Sequence, residues 1–151
     1  MISPIIHRLD STGSTNEVAA DMARTGAPEG TVIMARLQTQ GRGRRGRQWH
    51  AQAGQNLLMS VVLRPTFPAA RFYELAFVAA VAVAGCLEEC GVRVALKWPN
   101  DVLVDEKKIA GILVETAAGA AIMGIGINVL QCDFPTDLRT QPTSLVLCDS
   151  K

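Results

Sequence analysis

The stretch Gln38-Thr-Gln-Gly-Arg-Gly-Arg-Arg-Gly-Arg-Gln-Trp49 sets four arginines, Arg42, Arg44, Arg45 and Arg47, among Gly41, Gly43 and Gly46. Glycine lets backbone N–H groups come close to an anion, and each guanidinium fork matches two oxygens of a phosphate or carboxylate. Four such charges in so short a stretch repel one another, so the loop is expected to order when an anion neutralises it. It is not a P-loop, since G-x-x-x-x-G-K-[ST] is absent, and its glycines do not stand at dinucleotide-fingerprint offsets. A solvated basic loop, or an Arg-Gly segment that binds RNA with Trp49 stacked on a base, are the other readings of this stretch.

Three further stretches carry chemistry less sharply. Lys97-Trp-Pro-Asn-Asp101 puts a lysine between Leu96 and Trp98, where burial would need an anionic partner, although Asn100 and Asp101 are also ordinary turn residues. Gly111 and the pair Gly124 and Gly126 strip side chains from strand faces, admitting a flat ligand or a close-packed helix. Ser14-Thr15-Asn16 reads as a helix cap without any ligand. His7 and His50 are the only histidines, and neither a G-x-S-x-G turn nor a Cys–His arrangement accompanies them. An enzyme built from these residues would take its nucleophile and leaving group from its substrates, and would itself position and neutralise charge.

The elements that must hold these residues follow from periodicity and breakers. Ile5 to Leu9 reads as a short strand, and a helix begins at Ser14 or Thr15 and runs to about Arg24, with Glu17 in its first turn. Thr31 to Leu37 and Asn56 to Leu63 read as strands on either side of a Gly41–Gly54 loop. Arg71 to Cys90 reads as a long helix, apolar nearly all round, which implies packing on more than one face and buries Cys86 and Cys90. Val92 to Lys97, Val102 to Val104, Ile109 to Glu115 and Ala121 to Val129 are strands, with Asp105-Glu-Lys-Lys108 as a charged turn. Short connections imply antiparallel neighbours. The fold class is therefore α+β: a mixed, largely antiparallel sheet flanked by helices on one side, and not doubly wound.

Composition sets outer limits. The 151 residues, 48% hydrophobic and 19% charged, suit one domain. Fifteen Lys and Arg against fourteen Asp and Glu leave a net charge of +1, which excludes a large DNA-wrapping surface. The four cysteines form no metal-binding spacing, and the start at Met1 lacks the regions of a secretory leader. The apolar run from Leu75 to Leu87 is short of the roughly twenty residues a membrane span needs. A cytoplasmic, reduced protein without membrane or DNA partners is expected.

In this order, Ser14-Thr-Asn16, Gln40-Gly-Arg-Gly-Arg-Arg-Gly-Arg-Gln-Trp49, Lys97-Trp-Pro-Asn-Asp101, Lys108-Ile-Ala-Gly-Ile-Leu-Val-Glu115 and Gly124-Ile-Gly-Ile-Asn128 closely resemble the motif series of biotin protein ligases, over roughly residues 5 to 147. The resemblance implies a fold like that of class II aminoacyl-tRNA synthetases and lipoate ligases. It implies two steps: biotin and ATP with Mg²⁺ give biotinyl-5′-AMP, and a lysine of a biotin carboxyl carrier protein then takes the biotinyl group.

By the same resemblance, Ser14, Thr15, Gln38, Gly41, Arg42, Lys97, Gly111, Gly124 and Gly126 would bind biotin, the glycines admitting its bicycle. Arg44, Arg47, Trp49 and Asn128 would bind nucleotide, while Lys97, Arg42 and Arg44 act in catalysis. Asp101 would hold either the metal or Lys97. Residues 1–151 form one catalytic domain, expected to be incomplete at the C-terminus, where the family continues into helices and a barrel; no N-terminal DNA-binding domain is expected. Oligomeric state stays open, a homodimer included. A lipoate ligase, or a truncated non-catalytic biotin- or RNA-binding protein, are the alternatives.

Overall fold

The computed structural model describes residues 4–148; the Met1–Ser3 start and the Lys151 end lie outside the described residues. In chain order the elements are β1 (Ile5–Thr12), α1 (Thr15–Arg24), β2 (Thr31–Gln38), β3 (Asn56–Leu63), α2 (Leu75–Glu89), β4 (Ala95–Lys97), β5 (Asp101–Val104), β6 (Lys107–Ala117), β7 (Ala120–Asn128) and α3 (Leu145–Cys148). Seven strands form one sheet in the order β1-β2-β3-β7-β6-β5-β4. Only β1 and β2 run parallel, joined through α1 as a crossover requires; the other pairs are antiparallel. The α+β reading with a mixed, mostly antiparallel sheet holds.

Two tight turns fix the register of the last three strands. Asp105-Glu106 and Ala118-Gly119 each have positive φ at both central residues, the conformation that matches the twist of a two-residue hairpin. With register fixed, alternation assigns each residue to a face. On β7, Ile122 packs with Ala19 and Ala23 of α1, whereas Ile125 and Ile127 pack with Ala79, Ala80 and Val83 of α2. The two helices therefore cover opposite faces, which corrects the expectation of helices on one side. Uniform hydrophobicity carries no information about which face of the sheet a helix chooses.

α2 differs from expectation in three ways. Its start is at Leu75, because Ala69–Glu74 is a 3₁₀ helix. Only Ala76, Ala79, Ala80, Val83 and Leu87 are buried, while Val78 and Val81 are more than half exposed. Cys86 and Cys90 lie outward and are exposed, not buried. Together with the 3₁₀ turn, the 21-residue stretch Ala69–Glu89 is long and apolar enough to cross a membrane, yet its inner face forms the core against β5, β6 and β7. The following strand is also shorter than read, Ala95–Lys97, and lies at the sheet edge.

The α1 side of the sheet is where the site forms. Ile122 is fully buried there and anchors the helix that carries Ser14, Thr15 and Asn16 to the floor strands. Truncation of such a side chain leaves a cavity that the sheet cannot close. Ile122→Ala should lower the free energy of unfolding by about 3 kcal/mol, read from urea denaturation; an unchanged midpoint would show that α1 is not held this way.

Candidate active site

Gly111 on β6 and Gly126 on β7 are directly paired, with Gly124 one step along on the same face. Leu58 and Ser60 of β3 stand opposite Gly126 and Gly124. This strip is the floor of a cavity of about 150 Å³. What the glycines admit is specific. A Cβ on Gly126 would lie 2.6 Å from the indole of Trp49, and one on Gly111 would lie 3.0 Å from it. A Cβ on Gly124 would instead sit 2.3 Å from Asn16 Oδ1. Two glycines make room for a flat ring, and the third for a buried amide.

That amide closes one end of the cavity. Ser14, Thr15 and Asn16 are all buried at the start of α1. Ser14 stands at the N-cap position but makes no side-chain cap bond, so the capping reading does not account for it. The Thr15 N–H and hydroxyl both donate to Gln38 Oε1, at 2.7 and 2.9 Å. The Ser60 hydroxyl lies 2.7 Å from Thr15 Oγ1 and 2.6 Å from Asn16 Oδ1. Asn16 Nδ2 donates to Glu115 Oε2 at 2.6 Å. Small donors and acceptors are thus fixed around an apolar floor, the composition of a ligand cleft.

The arginine loop forms a flap with a tight base. Trp49 N–H donates to the Gly41 carbonyl, and Arg42 bridges Gln48. A Cβ at Gly41 would meet the Trp49 carbonyl at 2.4 Å. Gly41 therefore does not line the cavity; it lets the two ends of the flap close on each other. The four arginines separate in role. Arg42 pairs with Glu17 and Glu115, at 3.3 and 3.1 Å, so much of the expected repulsion is already met by carboxylates. Arg44 Nη1 donates to Asn100 Oδ1, and Arg47 Nε to the Arg44 carbonyl. Arg42, Arg44 and Arg47 line the cavity; Arg45 is exposed and does not.

The largest correction concerns the lysine. Lys97 is exposed on the edge strand β4 and does not line the cavity. The ammonium that does is Lys108, 23% exposed, 2.7 Å from the Asp101 carboxylate and 5.5 Å from the centre of the Trp49 ring. A β-bulge aims it. β5 pairs Val102 with Ala110 but Leu103 with Lys108, leaving Ile109 as the extra residue. Ile109 and Ala110 both enter the α2 core, so Lys108 turns to the face it shares with Asp101 and Gly111. The signal in the sequence was the apolar pair Ile109-Ala110, which breaks a period of two.

The chain after β7 completes the wall, and sequence reasoning missed it. Phe134, Leu138, Arg139, Thr140 and Pro142 all line the cavity. The segment is anchored by Lys108 N–H to the Gln141 carbonyl and Thr143 N–H to the Lys108 carbonyl. Asn128 also donates to the Thr143 carbonyl at 2.9 Å. Two cavity-lining polar atoms, Trp49 Nε1 and Asn128 Oδ1, are buried without a partner among the described residues, a donor and an acceptor left for a ligand. Asp101 is the one lining carboxylate and is committed to Lys108; no group of three metal-donor side chains exists among the described residues. Of the two lysines, the Asp101 carboxylate pairs with Lys108 and not with Lys97.

The sequence that builds this site matches a known family over most of its length. The model of the biotin/lipoate A/B protein ligase family matches residues 8–131. The chain belongs to that family. It is 45% identical over 144 residues to the bifunctional ligase/repressor BirA of Bacillus subtilis, covering 90% of this chain and 44% of that protein. It is 39% identical over 141 residues to a biotin–[acetyl-CoA-carboxylase] ligase of Mycobacterium tuberculosis, covering 89% and 52%. The biotin protein ligase of Aquifex aeolicus, solved with biotin and ATP, superposes with a TM-score of 0.83 at 35% identity, over 97% of this chain and 61% of that one. The chain thus spans about half the length of the curated relatives it matches. For a biotin/lipoate ligase domain, the fit between Gly124 and Asn16 is the tightest point of the site. Gly124→Ala should destabilise the domain by about 1–3 kcal/mol, because Asn16 is held on two sides and cannot retreat; an unchanged urea midpoint would contradict that packing.

Proposed function

We propose that the chain binds biotin and ATP and joins them as biotinyl-5′-AMP, and that the protein it represents passes the biotinyl group to a lysine of a biotin carboxyl carrier protein in the cytoplasm. The observation that carries this reading is the meeting of Lys108, Arg42, Arg44 and Arg47 over a glycine floor whose far end holds Ser14, Thr15, Gln38 and Ser60. One end suits a neutral, hydrogen-bonding ring system and the other an anion. Relatives named for biotin ligation, one of them solved with biotin and ATP, support that choice of ligands over lipoate.

In the first step an oxygen of the biotin carboxylate attacks the α-phosphorus of ATP. The bond from that phosphorus to the β-bridging oxygen breaks, and pyrophosphate leaves with the electron pair. Two anions must approach each other and charge must accumulate on the phosphoryl oxygens. Fixed cations in a partly desolvated cavity are the main way a protein lowers such a barrier. Lys108, held by Asp101 and by the bulge, would sit beside the reacting oxygens without needing to reorganise. Magnesium enters this account as part of the ATP substrate, since a nucleotide carries much of its own metal coordination. In the second step the carrier amine attacks the acyl carbon of the mixed anhydride, AMP leaves, and the amine proton passes to solvent.

The cavity volume and the position of Trp49 bear on order of events. About 150 Å³ is small beside the several hundred Å³ of a typical ligand cleft, and the indole already occupies the glycine floor. Its unpartnered N–H and the Asn128 Oδ1 flank Gly126, a donor and an acceptor suited to a purine edge. Occupation by ligands requires the flap that carries Trp49 to shift.

Calorimetry with biotin, then with MgATP, tests pocket and chemistry separately. Arg44 reaches across to Asn100 and makes no ion pair among the described residues, which leaves it free to hold the adenylate. Arg44→Gly should keep biotin binding and adenylate formation but release biotinyl-5′-AMP at least tenfold faster, as expected when one charge-assisted contact is lost. An unchanged lifetime of the bound adenylate would contradict the role.

A further inference from the structure

The cations of the cavity fall into two groups. Arg42 is paired with Glu17 and Glu115, and Lys108 with Asp101. Arg44, Arg47 and Arg139 line the same space and have no carboxylate partner among the described residues. Arg44 and Arg47 belong to the flap. Arg139 does not: it comes from the segment after β7, which is tied down at both ends. At the near end the buried Gln131 accepts from the Gln52 N–H and the Asn56 amide and donates to the Asp133 carbonyl. At the far end the Gln141 carbonyl and Thr143 N–H are bonded to the backbone of Lys108.

We propose that Arg139 is a phosphate-binding residue of this site, receiving the β,γ-phosphate end of ATP and the pyrophosphate that it becomes. The proposal rests on the adenylating reading above. An unpaired guanidinium at the wall of a cavity with surplus positive charge attracts a multiply charged anion, and its planar fork binds two phosphate oxygens at once. Its placement on an anchored segment distinguishes it from the flap arginines. Those belong to the flap that carries Trp49, whereas Arg139 stands on a segment whose two ends are bonded to the rest of the domain. A leaving group held there is also stabilised as its charge develops, in the manner of a cation clamp on a departing phosphate.

The test is a pyrophosphate titration by calorimetry, without biotin and at constant low ionic strength, on the unsubstituted chain and on Arg139→Gln, Arg139→Lys and Arg93→Gln. Arg93 is exposed between α2 and β4 and does not line the cavity. Arg139→Gln should weaken pyrophosphate about tenfold, one charge-assisted contact's worth. Arg139→Lys should fall between, and Arg93→Gln should match the unsubstituted chain. Biotin affinity of Arg139→Gln, measured separately, should be unchanged. Equal pyrophosphate affinity in Arg139→Gln and the unsubstituted chain would overturn the proposal, as would absence of pyrophosphate binding altogether. Loss of biotin and pyrophosphate together in Arg139→Gln would overturn it too, by marking collapse of the segment. Failure of the unsubstituted chain to bind biotin would instead count against the ligand reading, which the biotin-free titration does not use.

Discussion

An ammonium facing a partly closed cavity costs free energy unless something fixes it there and shares its charge, and in this domain both tasks fall to one irregularity in the sheet. The extra residue Ile109 sinks into the α2 core beside Ala110, and Lys108 is thereby turned to the opposite face, against Asp101. Without the bulge the strand would alternate strictly, and residue 108 would share the α2 face with Ala110 and Ile112. The core and the site are therefore set by one packing decision. The same backbone at Lys108 also receives the segment after β7, so the wall that contributes Arg139 is registered against the same point.

Around that lysine the charges form a graded arrangement rather than an undifferentiated basic patch. Paired cations, Arg42 and Lys108, sit where the fold needs fixed geometry, and their carboxylates belong to α1, β5 and β6. Unpaired ones sit on the flap and on the anchored segment, where an incoming anion can claim them. Such a division explains how a chain with a net charge of only +1 presents a strongly anion-attracting cavity. The opposite end of the site is neutral: Thr15, Gln38, Ser60 and Asn16 are uncharged polar groups held in place by hydrogen bonds to one another.

Much of this was legible in the sequence, and the limits are physical. Short turns gave the antiparallel strands, and glycines spaced by two on β7 marked the floor. Arg42, Arg44, Arg47 and Trp49 were singled out by type and spacing and do line the cavity. Lys97, expected in the site from the family resemblance, does not line the cavity, because β4 is an edge strand and its neighbours Leu96 and Trp98 are exposed rather than buried. Which strand becomes an edge depends on long-range pairing that local patterns do not encode. Lys108 was assigned to a charged turn because the actual turn, Asp105-Glu106, is only two residues long. Ser60 gave no signal at all, since a lone serine in an apolar strand acquires its partners only when α1 docks. The segment carrying Arg139 has neither helical nor strand periodicity, so only the assembled cavity reveals its role.

The central claim is that the cavity's lysine is the one aimed by the bulge. Its most direct measure is biotin-dependent release of pyrophosphate from ATP by two variants, Lys108→Met and Lys97→Met, each checked for folding by its urea midpoint. Removal of a fixed cation that stabilises a developing oxyanion costs about two to three orders of magnitude in rate. Lys108→Met should lose that much while Lys97→Met stays near the unsubstituted rate. The reverse pattern, with Lys97→Met inactive and Lys108→Met active, would contradict the account.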